Sequence, residues 1–298
     1  MTKSPIILVI GTFDTKDEEL NYLCARIRAQ GAEVLTMDVS VLGNPSQPTN
    51  ISKAEVAAAA GRTIDEAMTA EDENVAMQIM AAGAAMLTAK LHAEGRIQGM
   101  IALGGTMGTD LALDCARALP IGVPKYVVST IAFSALIPPD RLSADIQMIL
   151  WAGGLYGLND ICKATLSQAA GAVVGAARAV EPPNPDRPVI GMMSFGSSAL
   201  KYMIHLRQPL IDRGFSVAVF HGTGMGGMAM ESLAEQGFGK QDARAHGEGE
   251  QHKGDPDQPE QQGFHGQQRW QRGKGPRANK IKGPRQTFYA SVNTLQIR

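Results

Sequence analysis

Short apolar runs alternate with segments of helical periodicity along the first 180 residues of the chain. Helical patterns lie over about residues 17–30, 71–94, 109–119 and 159–180. Strands that alternate with helices predict a doubly wound α/β domain over residues 1–180, with a parallel sheet covered on both faces. Five runs between the helical patterns are typical of buried parallel strands: Ile6–Ile10, Glu33–Val39, Gly99–Leu103, Lys125–Ser129 and Ile146–Leu150.

Two of the predicted helices have a recognisable inner face, because their apolar residues recur at helical spacing. The first helix is expected to end before Gly31, and the helix over residues 71–94 is the longest of the set. The residues expected to point inward are Leu20, Leu23, Cys24 and Ile27 in the first helix, and Val75, Ile79, Met86 and Leu91 in the longest one.

A second α/β domain is predicted to begin after a proline-rich linker. The linker spans residues 181–188, where closely spaced prolines cannot continue a helix. Residues 189–238 then give a strand, a helix, a second strand and a second helix. Two strands are too few for a stable core, so this domain is incomplete in the sequence pattern.

The composition changes abruptly over residues 239–298, which hold 12 hydrophobic residues, 10 Gln and 9 Gly. This segment cannot bury enough apolar area to offset its chain entropy, and we expect it to be disordered. Its 11 Lys/Arg and 6 Asp/Glu are not interleaved with aromatic residues, so no nucleic-acid partner is predicted. Two interpretations stay open, an ordinary disordered tail and translation in a shifted frame. We favour the second, because the change falls inside an unfinished domain.

Overall composition limits the classes of function. Hydrophobic residues make up 44% of the chain and its net charge is −1, so no general attraction to nucleic acid or a membrane surface is expected. The three cysteines are scattered, which favours a reduced cytoplasmic interior over a disulfide framework or a zinc site. No signal peptide or membrane-spanning run is recognised. A homo-oligomer stays open.

Three glycine-rich turns that each follow a strand carry the candidate chemistry. Small residues let the backbone approach a ligand, and the first N–H groups of the next helix attract phosphate. Asp38, at the end of the second strand, is placed to accept from a ribose hydroxyl. The predicted cofactor-binding residues are Gly11, Thr12, Asp14, Thr15, Lys16, Asp38, Gly104, Gly105, Thr106, Gly108, Thr109, His221, Gly222, Thr223 and Gly224.

Each of these assignments has a structural alternative. Lys16 could pair with a phosphate or be a solvated lysine at a helix start, and Asp38 could cap a turn. Gly104 and Gly105 could serve only a tight connection, and His221 could be a hydrogen-bonded turn residue rather than an acid–base group. The spacing of a Walker A loop is absent, and no catalytic residue or metal ligand set is assigned.

The motifs Gly11-Thr-Phe-Asp-Thr-Lys-Asp-Glu-Glu19, Ala102-Leu-Gly-Gly-Thr-Met-Gly-Thr109 and His221-Gly-Thr-Gly-Met-Gly-Gly227 resemble a conserved bacterial and plant family. That family includes the ATP-binding N-terminal domain of the tomato mosaic virus resistance protein, and the resemblance covers about residues 6–238. The resemblance implies two successive Rossmann-like domains and ATP binding. Because ligands of open parallel sheets lie beyond the carboxyl ends of the strands, we expect the nucleotide, with or without Mg²⁺, in the crevice between the two domains. The alternatives are a small-molecule kinase or phosphohydrolase and a truncated, non-functional product.

Limited proteolysis is expected to remove residues 239–298 first and to leave a fragment that ends near Phe238. The reason is that a segment without buried apolar area stays open to protease. Mass spectrometry of the resistant fragment checks the boundary. Protection of Trp270 and Phe288 would contradict both the disordered-tail and the shifted-frame interpretations.

Overall fold

The structure, a computed structural model, describes residues 4–184, 186–194, 196–222 and 224–237, with only the backbone at Ser197 and Ser198. The predictions for Thr223 and for residues 238–298 therefore lie outside the described residues.

A five-stranded parallel sheet forms the centre of the fold, in the order β2-β1-β3-β4-β5. The predicted α/β architecture is confirmed, and every predicted strand lies within one residue of its observed bounds. The strands are β1 Ile6–Gly11, β2 Glu33–Asp38, β3 Gly99–Gly104, β4 Lys125–Ser129 and β5 Gln147–Leu150.

Helices cover both faces of this sheet. One face packs against α1 and α6, and the other packs against α2 to α5. The helices are α1 Asp17–Ala29, α2 Lys53–Ala59, α3 Ile64–Met68, α4 Glu73–Ala93, α5 Thr106–Arg117 and α6 Asp160–Ala179, and a short 3-10 turn lies at Pro139–Arg141.

The alternation of side chains along β1 shows why both faces must be apolar. Ile7 and Val9 join the core beneath α1 and α6, whereas Leu8 and Ile10 join the core beneath α2 to α5. All four are at most 1% exposed. Successive residues of a strand point to opposite faces, so a strand covered on both sides needs a continuous apolar run.

The predicted inner face of α4 is partly wrong. Val75 and Met86 are 47% and 58% exposed, although Leu91 is buried as expected and Ile79 packs against the core. A Cβ added at Gly83 would lie 1.9 Å from the Val56 carbonyl oxygen, so α2 packs directly on the α4 backbone. Small side chains permit this contact, and the buried face of α4 consists of Ala76, Met80, Ala81, Gly83, Ala84, Thr88 and Leu91.

Two short helices, α2 and α3, were not predicted. Each begins with a capping box, Ser52 with Glu55 and Thr63 with Glu66, in which the side chain of each residue accepts a hydrogen bond from the backbone N–H of the other. Such a box satisfies N–H groups that a helix start leaves without partners. The spacing Ser/Thr-x-x-Glu was therefore the available sequence signal.

The second part of the chain forms a two-stranded parallel sheet, β6 Val189–Ser194 with β7 Ser216–His221. Its helices are α7 Gly196–Asp212 and α8 Met225–Glu235, whereas the sequence pattern predicts helices over residues 199–213 and 227–236. Among the described residues from 189 onward, Met203 is the one buried hydrophobic side chain.

The described helices include none with both the length and the apolar character needed to cross a bilayer. The three cysteines, Cys24, Cys115 and Cys162, are free and buried. Burial raises the pKa of Cys24 to about 11 and that of Cys115 to about 12. Both thiols therefore stay protonated at neutral pH, and a protonated thiol is a poor nucleophile.

A buried ion pair fixes the start of β4. The Lys125 side chain is fully buried, and its Nζ lies 2.7 Å from both carboxylate oxygens of Asp145 and 2.8 Å from the Pro120 carbonyl oxygen. Burial lowers the pKa of the Lys125 amine, and the contact with Asp145 raises it in part. Asp145 also accepts from the Gly122 N–H and keeps 26% of its side chain exposed.

We predict that Asp145→Asn lowers the free energy of unfolding by about 3 kcal/mol, because it leaves a buried ammonium without a counter-charge. Lys125→Met is expected to lower the free energy of unfolding by less, since the Asp145 carboxylate that remains is partly hydrated. Urea denaturation of both variants measures the difference.

The pH dependence adds a second test of the same pair. Loss of Asp145 lowers the pKa of Lys125 further below its ordinary value of 10.5. Above the lowered pKa the unfolded chain binds more protons than the folded one, so stability rises with pH in that window. The deficit of Asp145→Asn should therefore narrow as the pH is raised from neutral towards 10.5. If both variants lost the same amount of stability at every pH, the loss would be due to the change in side-chain volume rather than to charge.

Candidate phosphate-binding site

A cleft opens at the carboxyl edge of the sheet, next to the point where the strand order reverses. β1 and β3 are neighbours in the sheet, and the helices that follow them, α1 and α5, pack on opposite faces. Ligands of open α/β sheets bind in crevices of this kind. The cleft has a volume of about 470 Å³ and is lined by Thr15, Lys16, Gly105, Thr130, Ala152, Gly153, Gly154, Leu155 and Tyr156.

The turn after β1 places a lysine on two threonine hydroxyls. The Thr12 carbonyl oxygen accepts from the N–H groups of Thr15 and Lys16, which closes the turn just before α1 begins at Asp17. The two threonine Oγ1 atoms lie 3.0 Å apart, and Lys16 Nζ lies 3.2 Å from one and 3.3 Å from the other. The ammonium is therefore positioned by neutral groups.

The positive charge of Lys16 is not neutralised locally. No carboxylate in the described part of the chain forms an ion pair with it. The acidic residues next in sequence are engaged elsewhere, because Asp17 accepts from the Ser46 hydroxyl and Glu18 accepts from the Leu158 N–H. The cleft thus holds a cation beside two hydroxyl groups, an arrangement suited to an anion.

Asp14 and Asp38 stabilise the turn rather than line the cleft. Asp38 is 1% exposed, and its Oδ1 accepts from the N–H groups of Phe13 and Ser40. Asp14 accepts from the Gly43 N–H at 3.0 Å and donates its own N–H to Ser40. The structure therefore shows the turn contact that was the alternative for Asp38.

The turn after β3 is tighter than predicted, since α5 begins at Thr106 rather than near residue 109. A Cβ added at Gly104 would lie 2.6 Å from the Gly108 carbonyl carbon, so this position needs glycine to let α5 approach β3. Gly105 caps α5 and lies in the cleft. The first N–H groups of a helix have no intrahelical acceptor, and those of α5 begin here.

The threonines of this turn do not face the cleft. Thr109 is buried, and its hydroxyl lies 2.7 Å from that of Ser129, which ties α5 to β4. Thr106 and Thr109 line a second cavity, which has a volume of about 220 Å³. Of the predicted residues in the first domain, the structure brings Thr15, Lys16 and Gly105 to the cleft wall.

The predicted residues of the second domain do not line either cavity as far as the structure describes them. His221 ends β7, and Gly224 caps α8 with φ +63°. A Cβ added at Gly226 would lie 2.0 Å from the His221 carbonyl oxygen, so the helix start lies close against the end of the strand.

The loop that follows β5 was missed among the site residues. Residues 152–156 form one wall of the cleft. The sequence signal was the pair Gly153-Gly154 shortly after a strand, which resembles the pair Gly104-Gly105 after β3.

Comparison with known proteins identifies the family. Residues 5–182 match the Uncharacterised protein family (UPF0261) N-terminal domain, and residues 187–241 match its C-terminal domain. The chain belongs to the UPF0261 family. The two matches meet near the proline-rich segment that sequence analysis interpreted as a linker.

Similar proteins occur in bacteria and in a plant. A UPF0261 protein of Brucella suis biovar 1 is 56% identical over 235 residues, which cover 79% of this chain and 56% of the relative. One from Clostridium tetani is 37% identical, with 78% of this chain and 57% of the relative covered. The ToMV susceptible protein tm-1(GCR26) of Solanum lycopersicum is 28% identical over 80% of this chain and 34% of its own length. The chain spans about half the length of the bacterial relatives it matches.

We predict that Gly104→Ala lowers the free energy of unfolding by about 1–3 kcal/mol, because the added methyl group meets backbone atoms that cannot move independently. Gly105→Ala is the matched control. Its Cβ would meet only the Thr130 hydroxyl at 3.8 Å, and its φ of −76° suits an L residue. Urea denaturation should therefore separate the two alanine variants. Equal stability would show that α5 can move away from β3.

Proposed function

We propose that this protein binds a nucleotide, with ATP as the first candidate, and that the phosphate groups of the nucleotide lie in the cleft beside Lys16. The observation that carries the proposal is the Lys16 ammonium, which forms no ion pair in the described part of the chain and lies 3.2 Å from the Thr12 hydroxyl and 3.3 Å from the Thr15 hydroxyl. Lys16 and Thr15 both line the cleft. The glycine turn that starts α5 lies in the same wall.

Electrostatics supports a phosphate ligand. The amino end of a helix carries a partial positive charge, and its free N–H groups point towards an anion. In this proposal α5 and the lysine act on the same phosphate chain, with Gly105 leaving room for its oxygens. Asp17 and Glu18 accept hydrogen bonds from Ser46 and Leu158, and neither forms an ion pair with the ammonium.

The size of the cleft supports a ligand larger than inorganic phosphate. Small-molecule sites have volumes of roughly 300–1,000 Å³. The cleft, at about 470 Å³, falls in that range. In this proposal the first domain supplies the phosphate site. A contribution from the second domain, through His221, Gly222, Thr223 and Gly224 across an interdomain crevice, stays a prediction.

A cytoplasmic location belongs to the same proposal. ATP is abundant there, and three free, buried cysteines suit a reducing compartment.

The test is calorimetric titration of the full chain with ATP in the presence of Mg²⁺. Lys16→Met is expected to weaken binding by roughly tenfold or more, because a charge-assisted hydrogen bond contributes about 1.5–3 kcal/mol. Lys90→Met is the matched control, since it removes the same charge from the last turn of α4, where Lys90 is 67% exposed and 3.9 Å from Glu94. It should bind ATP like the unsubstituted protein.

Three further arms sharpen the result. Unchanged ATP affinity in Lys16→Met would remove the lysine from the site, and no binding to the unsubstituted chain would overturn the proposal. Titration in a chelator shows whether Mg²⁺ takes part. Assay of ADP release with a panel of metabolites separates binding from kinase or phosphohydrolase turnover.

A further inference from the structure

Tyr156 lies almost wholly in solvent although it is part of the cleft wall. Its side chain is 98% exposed, yet it lines the same cleft as Lys16 and Gly105. A large aromatic ring is normally at least partly covered in a folded domain. An exposed ring in the wall of a cleft that also holds a lysine is therefore a candidate contact surface for a flat ligand.

The residues on both sides of Tyr156 are anchored. Leu155 is buried in the core beneath α1 and α6. The Gly157 N–H donates to Glu19 Oε1 at 2.9 Å, and the Glu19 side chain is buried. The Leu158 N–H donates to Glu18. The backbone at Tyr156 is thus held on either side, and the ring projects from a fixed position.

Two glycines let aromatic rings lie against the backbone of this loop. A Cβ added at Gly154 would lie 2.8 Å from Tyr156 Cδ2, and one added at Gly153 would lie 2.4 Å from Trp151 Cζ2. The Trp151 Nε1–H group donates to the Gly154 carbonyl oxygen at 3.0 Å. The loop is therefore shaped around its rings, and its exposed ring belongs to a residue of the cleft wall.

We propose that the loop Trp151–Gly157 is the base-binding wall of the cleft, in which Tyr156 stacks on the nucleobase of a purine nucleotide and does not distinguish adenine from guanine. This inference rests on the proposed function, which places the phosphates beside Lys16. It assigns the recognition of the base to a segment that none of the glycine-rich motifs contains.

The expected lack of discrimination between adenine and guanine follows from the side chains of this wall. Stacking is insensitive to base identity because every base presents a π-face, and a larger ring system gains more contact. Reading a base edge requires hydrogen-bonding groups on the protein. The described neighbours of Tyr156 in this wall are Ala152, Gly153, Gly154 and Leu155, and their side chains carry no such groups. Purines should therefore bind alike and more tightly than pyrimidines.

The experiment titrates the full chain with ATP, GTP, CTP and inorganic tripolyphosphate at one salt and Mg²⁺ concentration. Tyr156→Ala is expected to weaken the binding of ATP and GTP on the order of tenfold and to leave the affinity for tripolyphosphate unchanged. Tyr156→Phe keeps the ring and should bind all four ligands normally. Tyr202→Ala is the matched control, since it removes a tyrosine that is 64% exposed and lies in α7, outside both cavities.

A second variant moves the ring without removing it. Gly154→Ala should displace the Tyr156 ring and weaken the binding of ATP but not that of tripolyphosphate. Gly175→Ala is its control, because a Cβ added there meets nothing within 4 Å. Circular dichroism of all variants verifies the fold.

The outcomes separate this inference from the function on which it rests. If tripolyphosphate binds in a Lys16-dependent manner but ATP binds no better and Tyr156→Ala changes nothing, the base-binding wall is wrong and the phosphate site stands. If neither ligand binds, both are wrong. A preference for ATP over GTP of more than about tenfold would contradict stacking alone and indicate groups that read the base edge.

Discussion

Burial of the parallel sheet on both faces is the constraint on which the rest of this structure depends. Because Ile7 and Val9 face one core and Leu8 and Ile10 face the other, the middle of β1 has no side chain left for polar chemistry. The polar groups of the cleft lie instead where strands end and helices begin. At the carboxyl edge the helix starts also bring free N–H groups. The location of the cleft is therefore a consequence of how the core is covered.

The first turn of α1 shows how charge is distributed at that edge. It holds three consecutive acidic residues directly after Lys16, which could have neutralised the lysine. Instead Asp17 binds Ser46, Glu18 binds Leu158 and Glu19 binds Gly157. Asp17 holds the loop after β2 to the helix, and Glu18 and Glu19 together hold the loop after β5. The same acids that stabilise the amino end of α1 thus hold the surrounding loops and leave the ammonium available.

Sequence patterns predicted the strands well because a strand buried on both faces has an unmistakable composition. They failed for Val75 and Met86, because the inner face of α4 was predicted from the helical spacing of its apolar residues, whereas contact with α2 requires small residues such as Gly83. At the site, Lys16 and Gly105 follow from local motifs. The loop after β5 has only the pair Gly153-Gly154 as a local signal, and its place in the cleft wall depends on contacts with α1 that are distant in sequence.

The bond between Glu19 and Gly157 has a mechanical consequence. Glu19 lies three residues after Lys16, within a single helical turn, so the ammonium and the tyrosine loop are attached to the same short piece of α1. A movement of that helix carries both together. The distance between the ammonium and the loop is therefore set by covalent and hydrogen-bonded geometry before any ligand is present. A ligand that fits this distance does not require the protein to close around it.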